Sequence, residues 1–194
     1  NGTTIAANAF MRGTSAATQT EDPVVLAMGL RHDFTIEGYM YVKTLKHVDS
    51  NADTIIAFSG VNGTGDWIWN LTEPTKDSNT RNVVVTIRSG NKVANNGVVA
   101  TIDDNEILGG WHHYALVFNF DVDGNNSLWT FCLDGVNRGS QLMKKHESNA
   151  NVQEDRFALG GVNSSAHKVF DAKFAFWRVS NEALSSNAML CHRT

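Results

Sequence analysis

Side chains that do chemistry leave their spacing in a sequence. An acid pair on one strand face repeats at every second residue, because alternate side chains share a face. The 194-residue chain shows no Glu-x-Asp-x-Glu run of that kind. Its carboxylates cluster at Asp103-Asp104-Asn105-Glu106 and at Glu154-Asp155, and both clusters read as turns. Gly-x-Ser-x-Gly, His-Glu-x-x-His, Cys-x-x-Cys and phosphate-binding loops are all missing, so nucleophilic, zinc and phosphoryl chemistry find no motif. His112 and His113 follow Trp111 and suggest a metal pair. Neighbours on a strand point to opposite faces, so these two cannot chelate one ion. Asp121-x-Asp123-x-Asn125-x-Ser127 has the oxygen spacing of half an EF-hand loop. Asn126 stands where that loop needs Gly and no Glu closes it, so the segment reads as a hairpin turn.

Binding leaves a different trace. A sugar ring offers an apolar face to aromatic side chains and hydroxyls to amides, Asp and Arg. Trp67-Ile68-Trp69-Asn70 puts two indoles on one strand face. Trp67 and Trp69 are therefore the expected stacking platform, with Asp66, Asn70, Asn79, Arg81 and Arg88 as its polar partners. The competing reading places both indoles in the core, where Trp is usually found. Solvent exposure of the pair decides between the two.

The elements that must carry these residues read with period two. Phe34–Val42 is aromatic and β-branched. Further strand runs fall at Thr54–Ser59, Asp66–Leu71, Val83–Arg88, Val98–Ile102, His112–Phe120, Leu128–Leu133, Arg156–Leu159 and Phe174–Val179. Gly- and Asn-rich turns separate them, among them Asn62-Gly63, Asn95-Asn96-Gly97, Asp134-Gly135 and Gly160-Gly161. Asn149 to Asp155 is polar and reads as a loop. His112–Phe120 is apolar on both faces, as a central strand covered on both sides would be. One helix is expected, Glu182 to Leu190 behind a Ser180 or Asn181 cap.

Composition bounds the rest. Hydrophobic residues make up 42% and charged residues 19%, a balance that suits short strands and polar turns. A net charge of −4 offers no attraction to nucleic acid, and no apolar stretch is long enough to span a bilayer. The only prolines are Pro23 and Pro74, so no Pro-rich linker divides the chain, and one domain over residues 1–194 is expected. The chain starts at Asn1 without Met, which reads as a trimmed or mature form. Sequons stand at Asn1, Asn62, Asn70 and Asn163. Cys132 and Cys191 either pair, if the C-terminal segment returns beside the strand of Cys132, or remain buried thiols.

Three segments in order resemble the LamG-like, concanavalin A-like lectin/glucanase superfamily. They are His32-Asp33-Phe34-Thr35-Ile36-Glu37, then Gly110-Trp111-His112-His113-Tyr114-Ala115-Leu116-Val117-Phe118 with Leu128–Gly135, and then Leu159-Gly160-Gly161 with Phe174–Ser185. The resemblance covers nearly the whole chain. It implies an all-β, two-sheet antiparallel jelly-roll sandwich with a short C-terminal helix. Trp111, at the start of an apolar strand, reads as a core anchor, and Trp129 and Trp177, inside the matched strands, would then be packing residues. Relatives bind a structural calcium near the closing motif through acidic residues, whereas Ala175 and Phe176 stand at those positions here. No cofactor is therefore expected. Jelly-roll glucanases carry an acid pair that this chain lacks. The expected function is a non-catalytic, lectin-like glycan-binding module at the cell surface or outside the cell, beside neighbouring domains of a longer chain. An adhesion or structural module is the alternative, and a glycoside hydrolase or polysaccharide lyase stands third.

Overall fold

A computed structural model of the chain describes residues 3–5, 11–14, 32–44, 54–61, 64–72, 79–89, 92–145, 156–159 and 171–192. The strands are β1 (Thr3–Ile5), β2 (Met11–Thr14), β3 (Phe34–Thr44), β4 (Thr54–Val61), β5 (Thr64–Leu71) and β6 (Thr80–Ser89). They continue with β7 (Lys92–Asp103), β8 (Trp111–Asn119), β9 (Asn126–Leu133), β10 (Val136–Lys144), β11 (Arg156–Leu159) and β12 (Asp171–Ser180). Two six-stranded antiparallel sheets form a jelly-roll sandwich. Sheet A has the order β1-β12-β3-β8-β9-β10, and sheet B the order β2-β11-β4-β5-β6-β7. Every strand anticipated from the sequence is present, with β1, β2 and β10 in addition. β10 reads Val-Asn-Arg-Gly-Ser-Gln-Leu-Met-Lys, too polar to announce itself as a strand. Asn62-Gly63, Gly160-Gly161, the Asn149–Asp155 loop with its Glu154-Asp155 pair, and the sequons at Asn1, Asn62 and Asn163 lie outside the described residues.

Alternation packs the inner faces. Phe34 and Trp129 of sheet A meet Trp67 of sheet B, with Phe34 and Trp67 stacked at 5.6 Å between ring centroids, and Phe118 lies tilted against Trp129 at 4.3 Å. A single apolar cluster draws on both sheets, from Ile36, Met40 and Leu116 to Val83, Val85 and Ile102. At one edge the sheets close on each other where β10 passes β7. A Cβ on Gly139 would come 2.2 Å from the carbonyl oxygen of Val99, so only glycine fits there. The Asp134-Gly135 turn behaves as expected: both residues have positive φ, 51° and 76°, as a type I′ hairpin requires.

The expected C-terminal helix does not form. Residues 181–185 run without helix, and two 3₁₀ turns follow, Ser186–Ala188 and Leu190–His192. Side chains of sheet A take backbone groups of this segment, among them the Glu182 carbonyl and the Leu190 N–H that an α-helix would pair internally. Thr35 Oγ1 donates to the Glu182 carbonyl and accepts from Leu184 N–H. Arg178 donates to the Ala188 carbonyl, and Leu190 N–H donates to Glu37 Oε2. The segment is a strap laid over the outer face of sheet A. Met189 beneath it packs with Ala115, Val117 and Cys132, and Ala183 and Cys191 press on the same cluster. This is the second cover that the apolar β8 called for. Cys191 does return beside Cys132, and both are thiols. Burial is the main reason the Cys132 thiol is pushed up to about 11.

Glu37, wholly buried, fastens strap to sheet. Its carboxylate accepts from His113 Nε2 at 2.7 Å, Arg178 Nε at 2.6 Å and Leu190 N–H at 2.9 Å. Burial alone would raise this carboxyl. The hydrogen bonds from His113, Leu190 and Arg178, with the Arg178 charge, outweigh it and hold Glu37 below its ordinary 4.5. A depressed carboxyl adds stability in full above 4.5, and the contribution fades as pH falls through the folded-state value. Urea unfolding of Glu37→Gln is therefore expected to show a loss of about 3 kcal/mol or more at neutral pH. Its stability should also decline less than the wild type's between neutral and acid pH. An equal acid slope in both proteins would contradict this role. Gly139→Ala should cost about 1–3 kcal/mol with little change in the urea m-value, since it overpacks the β7–β10 edge without altering the surface exposed on unfolding.

Candidate functional site

The residues expected to form a platform do not meet on a surface. Trp67 and Trp69 are 0% exposed. Trp67 sits among Phe34 and Trp129, and Trp69 against Phe131 and Trp177. No ligand reaches either ring in this fold, so the stacking platform is placed wrongly and the core reading holds. Two indoles on one strand face also suit the interior of a sandwich, where a large ring removes more apolar area from water than any other side chain. Asn70 lies on the opposite face of β5 but is buried too, which closes its sequon. Arg81 is buried in an ion pair, its Nε 2.6 Å from Asp104 Oδ1, and it also donates to the Thr72 carbonyl. Asn79 is exposed just before β6, where its carbonyl accepts from Asp104 N–H. Asp66 and Arg88 lie in β5 and β6, with side chains outside the described set.

The carboxylate clusters are equally committed. Asp103 caps the 3₁₀ turn Asp104–Glu106 in a reciprocal box with Glu106, and Glu106 also accepts from Arg138. In the β8–β9 hairpin, Asp121 accepts from Gly124 N–H, and Asp123 accepts from the N–H groups of Asn125 and Asn126. Those bonds belong to a turn. Among the described residues no group of three His, Cys, Asp or Glu side chains is placed to hold a metal ion. His112 and His113 separate as the pleat demands: His112 Nδ1 lies 2.8 Å from Asp134, while His113 turns to Glu37.

Aromatic surface gathers instead on the outer face of sheet A, beside the strap. β3 carries Phe34, Ile36, Met40 and Val42 inward, so Thr35, Glu37, Tyr39, Tyr41 and Lys43 face out. The strap covers Thr35 and Glu37, while Tyr39 and Tyr41 are half-buried and Lys43 is exposed. In register, Tyr41 stands between Lys173 of β12 and Trp111 of β8, and Tyr39 between Ala175 and His113. Strands lie about 4.8 Å apart, so the row from Lys173 to Trp111 spans about 10 Å. Trp111 is 43% exposed and meets Tyr41 edge-on at 5.9 Å. Trp111 is thus no core anchor; it opens β8 on the solvent side.

Phe176 completes the patch. Between Ala175 and Arg178, β12 has two residues where β3 has only Gly38, which makes a β-bulge. One of the two, Trp177, turns inward over Gly38, whose missing Cβ would lie 2.4 Å from the indole, and donates to the Tyr39 carbonyl. Trp177 and Trp129 are packing residues, as expected. The other, Phe176, is thrown outward at φ 54° with 76% of its surface exposed, and it meets Tyr39 edge-on at 6.4 Å. A bulky residue in the left-handed region costs about 1–3 kcal/mol, and such strain collects at binding sites. The sequence carried one signal for this patch: two tyrosines at the outward positions of β3, facing Trp111 at the head of β8.

Comparison with known proteins follows the same lines. The Laminin_G_3 family, described as the concanavalin A-like lectin/glucanases superfamily, matches residues 12–188. No curated protein matches the sequence. Among solved structures, the chain is similar to the CBM40 of the Ruminococcus gnavus IT-sialidase bound to α2,3-sialyllactose, with 13% identity, TM-score 0.60, and coverage of 96% of this chain and 92% of that one. It is also similar to a heptameric SAP-like pentraxin from Limulus polyphemus, at 14% identity and TM-score 0.53 over 80% and 67% of the two chains. A third is the binding domain of botulinum neurotoxin serotype G, at 11% identity and TM-score 0.54, where 95% of this chain covers 40% of that one. At such identities the likeness is one of fold. With the family match spanning most of its length, the chain belongs to the concanavalin A-like lectin/glucanases superfamily.

Proposed function

We propose that this chain is a non-catalytic glycan-binding module whose site is the aromatic patch of Trp111, Tyr41, Tyr39 and Phe176. The observation that carries the reading is Phe176, a strained and exposed phenyl ring that meets Tyr39 edge-on, on the same sheet face as the exposed Trp111. Folding gains little from either ring in water, whereas the apolar faces of successive sugar rings gain by stacking on them. The neighbouring CBM40 was solved with a bound oligosaccharide, which supports the same class of ligand here. A shallow, solvated surface implies modest affinity per site. No helix among the described residues is long and apolar enough to cross a membrane. The module is read as one domain of a larger cell-surface or secreted glycan-processing protein.

An adhesive, protein-binding role is the second reading. It is favoured by Val136 and Leu142, exposed aliphatic side chains on the edge strand β10. Affinity electrophoresis in soluble polysaccharides separates the two. Trp111→Ala and Phe176→Ala should each weaken retardation by about tenfold or more while leaving the melting temperature nearly unchanged. Trp67→Ala should instead lose about 3–5 kcal/mol of stability, as a core truncation does. Retardation that survives both surface variants, or is absent across a broad polysaccharide panel, would end the glycan reading.

A further inference from the structure

We infer that the ligand of this patch is an acidic, carboxylate-bearing sugar, an inference that rests on the glycan reading above. The platform does not end in neutral surface. Lys173, exposed on β12, is the register partner of Tyr41, and its Nζ lies 5.6 Å from the centre of the Tyr41 ring. That cation–π contact holds the ammonium over the Tyr41 ring, on the side away from Trp111's strand, instead of swinging through solvent. Lys173 and Trp111 are one strand away from Tyr41 on either side, so a ring stacked on the indole and a carboxylate at the ammonium fit one ligand. The ring contributes apolar contact and the acid a charge-assisted hydrogen bond.

Of the described acidic side chains, Glu37 and Asp134 are both committed to other partners. Glu37 spends its oxygens on His113, Arg178 and Leu190, beneath the strap. Asp134, just past the end of β9, accepts from His113 N–H and lies 2.8 Å from His112 Nδ1, on the side of β8 away from Lys173's strand. The chain as a whole carries −4, so no long-range field draws an anion in. Selection for the acid must come from contact, and that makes it separable by a single substitution.

Polygalacturonate and its methyl ester have one backbone and differ only in whether the carboxyl is charged. α2,3-Sialyllactose against its carboxyl methyl ester, the lactose pair, supplies the same contrast for a terminal sialic acid. Binding of all four to the wild type, Lys173→Met and Trp111→Ala is measured by calorimetry or affinity electrophoresis, with circular dichroism as the check on folding. The wild type should prefer the charged member of one pair by about fivefold to tenfold, and Lys173→Met should bring that ratio near one. Preference in the polymer pair assigns a uronate ligand; preference in the lactose pair assigns a sialylated one. Equal binding of charged and neutral members by the wild type, with loss in Trp111→Ala, would overturn the acidic ligand and leave the platform standing. A preference that persists in Lys173→Met would also overturn it. Binding untouched by Trp111→Ala would remove the platform and this inference together.

Discussion

A carboxylate cannot be buried cheaply, and Glu37 shows what the fold does about it. Its oxygens take donors from β8, from β12 and from the C-terminal strap, so one side chain ties together elements separated by most of the sequence. A buried ion cluster adds little stability over a well-packed apolar one, but it tolerates no displacement of its partners. Glu37 therefore sets the position of the strap on sheet A more than it strengthens the core. The aliphatic cluster of Ala115, Val117, Cys132 and Met189 is what the strap gains by lying there.

The strap also divides the outer face. Thr35 and Glu37 lie under it, while Tyr39 and Tyr41 on the same strand extend past it toward Trp111 and Phe176. A buried polar lock and an open aromatic surface thus occupy successive outward positions of β3. His113 belongs to both, since its Nε2 donates to Glu37 and its ring packs edge-on with Tyr39 at 5.3 Å. Ligand-facing aromatics supported from below by a rigid network keep their geometry, and a shallow site needs that rigidity because it has few contacts with which to order loose side chains.

The bulge in β12 solves two packing problems at one place. The extra residue lets Trp177 fill the hollow over Gly38, against Trp69 and Phe174. The same irregularity forces its neighbour Phe176 into a conformation that bulky residues avoid. The core recovers the cost of the bulge through one indole, and the surface receives a phenyl ring that no regular strand would present.

Period-two alternation, turn-forming pairs and three ordered motifs were enough to read the strands, the sandwich and the family from the residues alone, because local backbone preference and one-sided burial act over a few positions. The same locality made the pleat argument against a His112–His113 metal pair reliable. Three matters waited for the tertiary structure. Trp67-x-Trp69 and Trp111 are equally aromatic in sequence, and only the stacking of two sheets decides that the first pair is enclosed and the last is exposed. Glu182 to Leu190 has a helical pattern, yet Thr35, Glu37 and Arg178, distant or across a turn, claim its backbone groups. Phe176 is silent until the register of β12 against β3 shows a residue too many. Each depends on which surfaces meet, and contacts between residues far apart in sequence leave no period in either segment.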